Sequence, residues 1–370
     1  MALAYKRIII KIGSNVLTLD NGMPDLARIG HLVEQIAEIK KQGKEVILVS
    51  SGAVASGRSL VQVSEKFDAV ASRQLLAAVG QVKLINTYSE LFGRFGLVCA
   101  QVLVTKEDFR DRLHYLNMKN CFQILLQHDI IPVINENDVI SITELMFTDN
   151  DELAGLVASM LNADALIILS NVDGIYNGNP KDPGAEVIRE IDHAATGLSS
   201  FITTQRSQFG RGGMLTKSHM ARRVAQLGIA VHIANGKTEN VLPRLLQETV
   251  INTRFVPSKA ASGKKKWLAH NENNAKGAVQ VNQGAREALF SSRATSLLPV
   301  GITGIRGEFL KGDVVKLLDE NGTLLGLGIA EYGSGKALEH IGEKNQKPLV
   351  HYDYLFLYPE PTDYGVRQNI

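Results

Sequence analysis

The sequence predicts an α/β protein: an open, mostly parallel sheet sandwiched by helices, followed by a small, mainly β C-terminal domain. Short continuous apolar runs alternate with amphipathic stretches through roughly the first 255 residues. Almost every run ends in a polar, glycine-rich or acidic turn. Beyond Pro257 the pattern changes to valine-rich pairs flanking Asn321-Gly322, the strongest short-range hairpin signal in the chain.

The apolar runs are Arg7–Ile12, Glu45–Ser50, 97–104, 130–135, Ala165–Ser170 and 230–234. They are continuous rather than alternating, which is the pattern of strands buried on both faces of a parallel sheet. Between them lie amphipathic segments at Leu26–Lys41, 69–92, 115–127 and 213–227. Strand, helix and strand repeated in this way build a layered domain with helices on both faces of the sheet. Residues 258–266, SKAASGKKK, are small and basic and are expected to form a solvated linker or an exposed loop, with an exposed lysine triplet, Lys264 to Lys266. A chain of 370 residues exceeds one ordinary core. The expected division is 1–258, a linker at 259–275 and 276–370. In the last part GAVQVNQGA and FLKGDVVKLLDENGTLLGLGIAEY carry the β pattern, and SLLPVGI is expected to be helical.

Composition excludes several classes. Hydrophobic residues make up 45% and charged residues 21%, with a net charge of +2, so nothing demands a nucleic-acid or anionic-membrane partner. Cys99 and Cys121 are the only cysteines, too few for a disulfide scaffold. The nine histidines are scattered and no CxxC or HExxH occurs, so no structural zinc site is expected, and no residue is assigned as a metal ligand. The apolar run in MALAYKRIIIKIG is short and broken by Lys11, unlike a signal-peptide core. No segment approaches the ~20 apolar residues of a membrane span. A soluble, cytoplasmic protein is expected. AEYGSGKA at 330–337 lacks the first glycine and the terminal Ser or Thr of a P-loop, and no GxGxxG follows a strand. Asn321-Gly322-Thr323 is read as a turn rather than a glycosylation site.

The turns carry the chemistry. In open α/β sheets ligands bind beyond the carboxyl ends of the strands, and several polar turns converge there. In KIGSN, Lys11 ends a strand and Gly13 lets backbone approach a phosphate, or the turn is an ordinary one with a snorkelling lysine. SSGAVASG, with Ser51, Gly52 and Gly57, precedes a helix whose N-terminus suits an anion, or Ser51 simply caps that helix. Asn135, Glu136, Asn137 and Asp138, with Asp149, Asn150 and Asp151, can hold an ammonium, coordinate Mg²⁺ or orient lysines. Asp151 alone could equally complement the dipole of a following helix. GRGGMLTK, 210–217, is either a phosphate cradle or a loop entering a surface helix. By themselves these turns support an anion and phosphate site.

The ordered set KIGSNVL, VSSGAVASG, QLLAAVGQ, INENDV, TDNDELAG and GGMLTK resembles the amino acid kinase family, over nearly the whole chain, and within it the members that act on glutamate. Residues 276–358 resemble a PUA domain. The resemblance implies ATP-dependent phosphorylation of the γ-carboxylate of L-glutamate to L-glutamyl 5-phosphate, the first step of proline biosynthesis. It implies that Lys11 and Lys217 neutralise the transferring phosphoryl group and that Asp151 orients them. Ser51, Asp138 and Asn150 match glutamate-binding positions. Lys11, Gly13, Ser170, Asn171, Arg211, Gly212, Gly213, Met214, Leu215, Thr216 and Lys217 match nucleotide-binding ones. Two positions depart from the pattern: Ser170-Asn171 stands where Thr-Asp is usual, and Arg211 where a small or hydroxyl residue is common. ATP and Mg²⁺ are the implied cofactors. A homo-oligomer (dimer or tetramer), feedback by proline and hand-on to glutamyl phosphate reductase are implied as well. The tail lacks a strong basic excess or an aromatic stacking run, so RNA binding is not expected.

The closest rivals are relatives acting on aspartate, acetylglutamate, carbamate or a nucleoside monophosphate, whose phosphate machinery would look alike. Residues 51–57 and 135–151 favour glutamate. A side-chain carboxylate, with a reference pKa of about 4.3, is already ionised at neutral pH and needs no general base. That agrees with turns offering lysines and glycines rather than a histidine beside a nucleophile.

Overall fold

The chain begins its fold on β1 (Arg7–Ile12), whose RIIIKI run is buried from Ile8 onward. A computed structural model describes residues 3–64, 67–140, 147, 149–180, 182–192, 213–258, 263–269, 271–291 and 295–358. These form two compact units, 3–258 and 263–358.

In the first unit β1 is followed by α1 (Ser14–Leu17), α2 (Leu26–Lys41), β2 (Glu45–Ser50), α3 (Ala53–Arg58), α4 (Ala69–Gly93) and β3 (Cys99–Val104). Then come α5 (Lys106–Arg110), α6 (Arg112–Gln127), β4 (Ile131–Glu136), α7 (Asn150–Leu161), β5 (Ala165–Ser170), β6 (Glu190–Asp192), α8 (Met214–Gln226), β7 (Ala230–Asn235), α9 (Val241–Leu246) and β8 (Asn252–Val256). The sheet order is β3-β4-β2-β1-β5-β7-β8-β6. Every pairing is parallel except β7 with β8.

The chain leaves β1 first toward β2 and later returns to β5 on its other side, so the switch point lies at the β1/β5 boundary. Lys11 is next to last in β1, on the edge where the carboxyl ends of β2, β4, β5 and β7 also emerge. Strands β1, β2, β4 and β5 are buried along nearly their whole length, as their continuous apolar runs predict. The third run departs from that reading. β3 pairs only with β4, and of its six residues only Val104 is fully buried. An edge strand lacks a neighbour on one side, so its apolar residues do not require two covered faces.

Helix α7 is buried along almost its whole length and packs against β1, β2 and β5. Asp149 caps it, its carboxylate accepting from the N–H groups of Asp151 and Glu152 at 3.0 and 3.1 Å. Helix α4 buries a single stripe, Leu76, Ala77, Gly80, Gln81, Leu84, Tyr88 and Phe92.

In the second unit α10 (Gly263–Ala269), β9 (Gly277–Val281), α11 (Gln283–Phe290), β10 (Ile302–Arg306), β11 (Val314–Leu318), β12 (Leu324–Ile329), α12 (Ser334–Glu339) and β13 (Leu355–Leu357) build a sheet in the order β10-β9-β11-β12-β13. The expected hairpin joins β11 and β12 through residues 319–323, with Gly322 at φ +81°. The Asp319 carboxylate accepts from the N–H groups of Asn321 and Thr323 at 2.9 and 2.7 Å.

Two expectations need correction in this unit. Residues 263–269 are not a solvated connector: they form α10, which packs against β12 and β13 with Lys266, Trp267, Leu268 and Ala269 buried. The buried Trp267-Leu268-Ala269 run outweighs the charge of the lysines before it. Residues 259–262 of that segment lie outside the described residues. The helix near SLLPVGI shrinks to one 3₁₀ turn at Pro299–Gly301, while Leu297 bridges to Val350. The full helix in this region is α11, capped by Asn282 accepting from Ala285 N–H at 2.8 Å.

Candidate functional site

Asp151 lies in the first turn of α7 and is wholly buried. Lys11 Nζ approaches its Oδ1 at 2.6 Å, and Lys217 Nζ approaches its Oδ2 at 2.6 Å. One carboxylate therefore holds two ammonium groups from opposite sides. Burial by itself would raise the Asp151 pKa, but the charges and hydrogen bonds of Lys11 and Lys217 hold it well below the ordinary carboxylate range. Burial likewise opposes the charged form of Lys217, and Asp151 and Asp149 together keep its pKa above the usual lysine value. Asp149 is shifted upward, first by burial and then by the negative charge on Asp151.

Lys217 reaches this point because α7 and α8 pack closely at Gly155. A Cβ there would sit 2.8 Å from Met220 Sδ and 3.0 Å from Val224 Cγ2. Gly155 is one helical turn beyond Asp151, and Met220 is one turn beyond Lys217. The missing side chain thus brings the two helix starts together.

A second set of polar groups lies beside this pair, at the ends of β2 and β4. Asn150 Nδ2 donates to Ser51 Oγ at 2.9 Å and to Asn135 Oδ1 at 3.1 Å. Asn135 Nδ2 in turn donates to Gln81 Oε1 at 3.0 Å. Asp138, almost fully buried, accepts from Arg73 Nε at 3.0 Å and from Arg73 Nη2 at 2.5 Å. Gln74 Nε2 donates to Val139 O at 2.9 Å, so the start of α4 is clasped to the turn after β4.

On the other side of β1, Gly13 N–H donates to Leu169 O at 3.0 Å, and a Cβ at Gly13 would stand 3.6 Å from Lys11 Nζ. Ser170 ends β5 and is buried, whereas Asn171 is exposed. Asn235, at the end of β7, donates through Nδ2 to Asp173 Oδ1 at 3.1 Å, and Tyr176 Oη donates to Asp173 Oδ2 at 3.1 Å. Gly213 is the N-cap of α8, with Met214, Leu215, Thr216 and Lys217 in its first turn. Two converging lysines, with amides and carboxylates on one flank and a glycine turn on the other, form a cluster that can take an anion.

A model of the amino acid kinase family matches residues 6–235, and a PUA domain model matches residues 277–351. The chain belongs to the amino acid kinase family. Within that family it groups with the glutamate 5-kinases. The glutamate 5-kinase of Bacteroides thetaiotaomicron is 55% identical over 356 residues, spanning 95% of this chain and 99% of the relative. That of Chlorobaculum tepidum is 50% identical over 356 residues, spanning 96% and 98%. Among solved structures, a carbamate kinase from Giardia lamblia bound to AMP-PNP is similar in fold, at 20% identity and a TM-score of 0.50, over 69% of this chain and 99% of that one.

Seen as an amino acid kinase, the chain places the sequence-selected residues as follows. Lys11, Asp151 and Lys217 meet directly, and Ser51 and Asn150 are hydrogen-bonded to each other. Asp138 is engaged by Arg73 instead. Gly13, Ser170 and Asn171 lie at the ends of β1 and β5, and Gly213 to Lys217 open α8. Arg211 and Gly212 lie outside the described residues. Sequence reasoning did not single out Arg73, Gln81, Asp173, Tyr176 or Asn235. A polar Gln81 within the apolar stripe of α4 was a usable signal, because a buried amide needs a partner. Asn235 lay one residue beyond the expected end of its strand.

Proposed function

We propose that this chain transfers the γ-phosphoryl group of ATP to the γ-carboxylate of L-glutamate, giving L-glutamyl 5-phosphate and ADP, the first step of proline biosynthesis. The Lys11–Asp151–Lys217 arrangement is the observation that carries the reading, with full-length similarity to glutamate 5-kinases in support. An acceptor carboxylate oxygen forms a bond to the γ-phosphorus while the bond from that phosphorus to the β,γ-bridging oxygen breaks, and the electron pair leaves on ADP. No proton has to be removed from an ionised acceptor. The work left to the protein is alignment and the cancelling of charge on the phosphoryl oxygens. Lys11 and Lys217 supply the charge, and Asp151 fixes both ammonium groups before ATP arrives. Ser51, Asn150 and Asp138 hold the acceptor. Gly13, Ser170, Asn171 and the segment Arg211 to Lys217 border the nucleotide.

Mg²⁺ would arrive with the ATP phosphates and supply further positive charge there. Among the described residues no group of three His, Cys, Asp or Glu is gathered into a ready-made cage. The buried Oδ2 of Asp149 makes no hydrogen bond, so it is the carboxylate oxygen the site offers to such an ion. No helix among the described residues is long and apolar enough to cross a membrane. A cytoplasmic homo-oligomer, dimer or tetramer, subject to proline feedback and passing its product to a reductase, completes the proposal.

An ADP-release assay across L-glutamate, aspartate, acetylglutamate, carbamate and UMP tests this directly. Glutamate is expected to give the highest kcat/KM, and a higher value for any of the others would overturn the assignment. Asp138→Ala is expected to raise the KM for glutamate by about tenfold or more, the usual scale for losing a charged hydrogen-bond partner, with a much smaller change for ATP. Equal changes for both substrates would count against an acceptor role for Asp138.

A further inference from the structure

Asp138 does not stand alone at the acceptor end of the site. Both Arg73 donors converge on one of its oxygens, Nε at 3.0 Å and Nη2 at 2.5 Å to Oδ1. The same Nη2 lies 3.9 Å from Glu136 Oε2. Among the described residues, Oδ2 of Asp138 and Nη1 of Arg73 make no hydrogen bond, so this ion pair keeps a free acceptor and a free donor. The Asp138 side chain is 8% exposed and that of Arg73 30%, which leaves the guanidinium within reach of a ligand while the carboxylate stays sheltered.

The pair is also fixed in place. Gln74, the next residue of α4, bonds Val139 O, and Gln81 two turns on bonds Asn135. Asn135 bonds Asn150, which immediately precedes Asp151. Hydrogen bonds and the backbone of α4 and α7 together therefore tie the Arg73–Asp138 pair to the carboxylate that holds Lys11 and Lys217.

We propose that Arg73 and Asp138 act together as a paired-charge clamp for the zwitterionic end of an α-amino-acid acceptor, with Asp138 Oδ2 taking the α-ammonium and Arg73 Nη1 the α-carboxylate. Arg73 is then a specificity-determining residue. An amino acid held by both charges presents its far carboxylate toward the lysines. A planar guanidinium can keep its bond to Asp138 and still donate from another nitrogen, which an ammonium group cannot do with the same fixed geometry. The inference rests on the proposed acceptor being glutamate.

The test compares three acceptors, L-glutamate, 4-aminobutyrate, which lacks the α-carboxylate, and glutarate, which lacks the α-ammonium. Each is measured as a substrate by ADP release, or as a competitive inhibitor against glutamate, with the full-length protein and its Arg73→Gln, Arg73→Lys and Asp138→Asn variants. In Arg73→Gln the preference for glutamate over 4-aminobutyrate is expected to shrink by roughly ten- to a hundredfold, while the preference over glutarate largely persists. Asp138→Asn is expected to show the reverse pattern. Arg73→Lys, which keeps the charge but loses the fork, should fall between wild type and Arg73→Gln, and it carries the test if the glutamine variant does not fold. An unchanged preference over 4-aminobutyrate overturns the clamp, and so does an equal loss of both preferences, which would leave Arg73 only the task of holding Asp138. If the wild-type protein does not phosphorylate glutamate at all, the functional reading falls first and the clamp with it.

Discussion

Replacing Lys217 with alanine is expected to lower turnover by about 10²–10³-fold, the usual scale for losing one preorganised donor to a developing negative charge. The ammonium that is lost sits 2.6 Å from Asp151 and is only 14% exposed at the side chain, so bulk water cannot replace it with equal placement. The fold should survive. Asp151 keeps Lys11 at 2.6 Å, so no buried charge is left without a partner, and the lysine leaves from the first turn of α8 rather than from the core. Asp151→Ala would be a poorer experiment, since it leaves two ammonium groups facing one another. Turnover is read by ADP release and integrity by the melting temperature, and near-normal turnover in a folded Lys217→Ala protein would remove the central claim about the site. Assays near neutral pH are not confounded by titration of Asp151. Its folded-state pKa is depressed, so its contribution to stability is complete above the unfolded carboxylate value and is lost only as pH falls toward the folded one.

Much of the fold could be read from the amino-acid order because the sheet is buried on both sides. The runs at Arg7–Ile12, Glu45–Ser50 and Ala165–Ser170 coincide with β1, β2 and β5 to the residue, since a parallel strand covered by helices on both faces is apolar nearly throughout, Lys11 near the carboxyl end of β1 being the exception. The same rule fails where its premise fails. β3 is an edge strand, and β8 alternates buried and half-buried residues over only five positions, too short a period to stand out from loop. β6 has three residues and is held by β8, a partner more than fifty residues distant in the chain. In the second unit the lysine triplet masked α10, which buries Lys266 together with the three residues after it.

The site was legible in a different way. Residue types at strand ends indicated an anion pocket, yet the meeting of Lys11, Asp151 and Lys217 joins positions far apart in the chain and could be named only through family resemblance. Arg73 was given no role because its partner lies 65 residues away, although the QLLAAVGQ motif begins at the next residue of the same helix. Long-range ion pairs have no local sequence period, so pattern reading does not find them.

Gly80→Ala is expected to damage both stability and acceptor binding. Helices α3 and α4 pack against each other, and at their closest approach each presents a glycine. A Cβ on Gly80 would lie 1.8 Å from Ala53 O and 2.3 Å from Gly57 N, and one on Gly57 would lie 2.0 Å from Leu76 O. These are backbone atoms, so no rotamer change relieves the overlap and the helices must separate. Overpacking of this kind costs about 1–3 kcal/mol or more, which for a domain of this size lowers the melting temperature by roughly 2–12 °C or more. The displacement also reaches the site from both helices, because Ser51 sits just before α3, and Arg73 and Gln81 flank Gly80 on α4. The KM for glutamate should therefore rise more than the KM for ATP. Gly93→Ala, in the last turn of the same helix with nothing within 4 Å of the added carbon, is the matched control. There the added methyl is expected to be neutral or slightly stabilising, by up to about 1 kcal/mol, because alanine loses less backbone freedom than glycine on entering a helix. A Gly80→Ala protein that melts with the wild type would mean that α3 and α4 are not in the close contact on which the acceptor pocket depends.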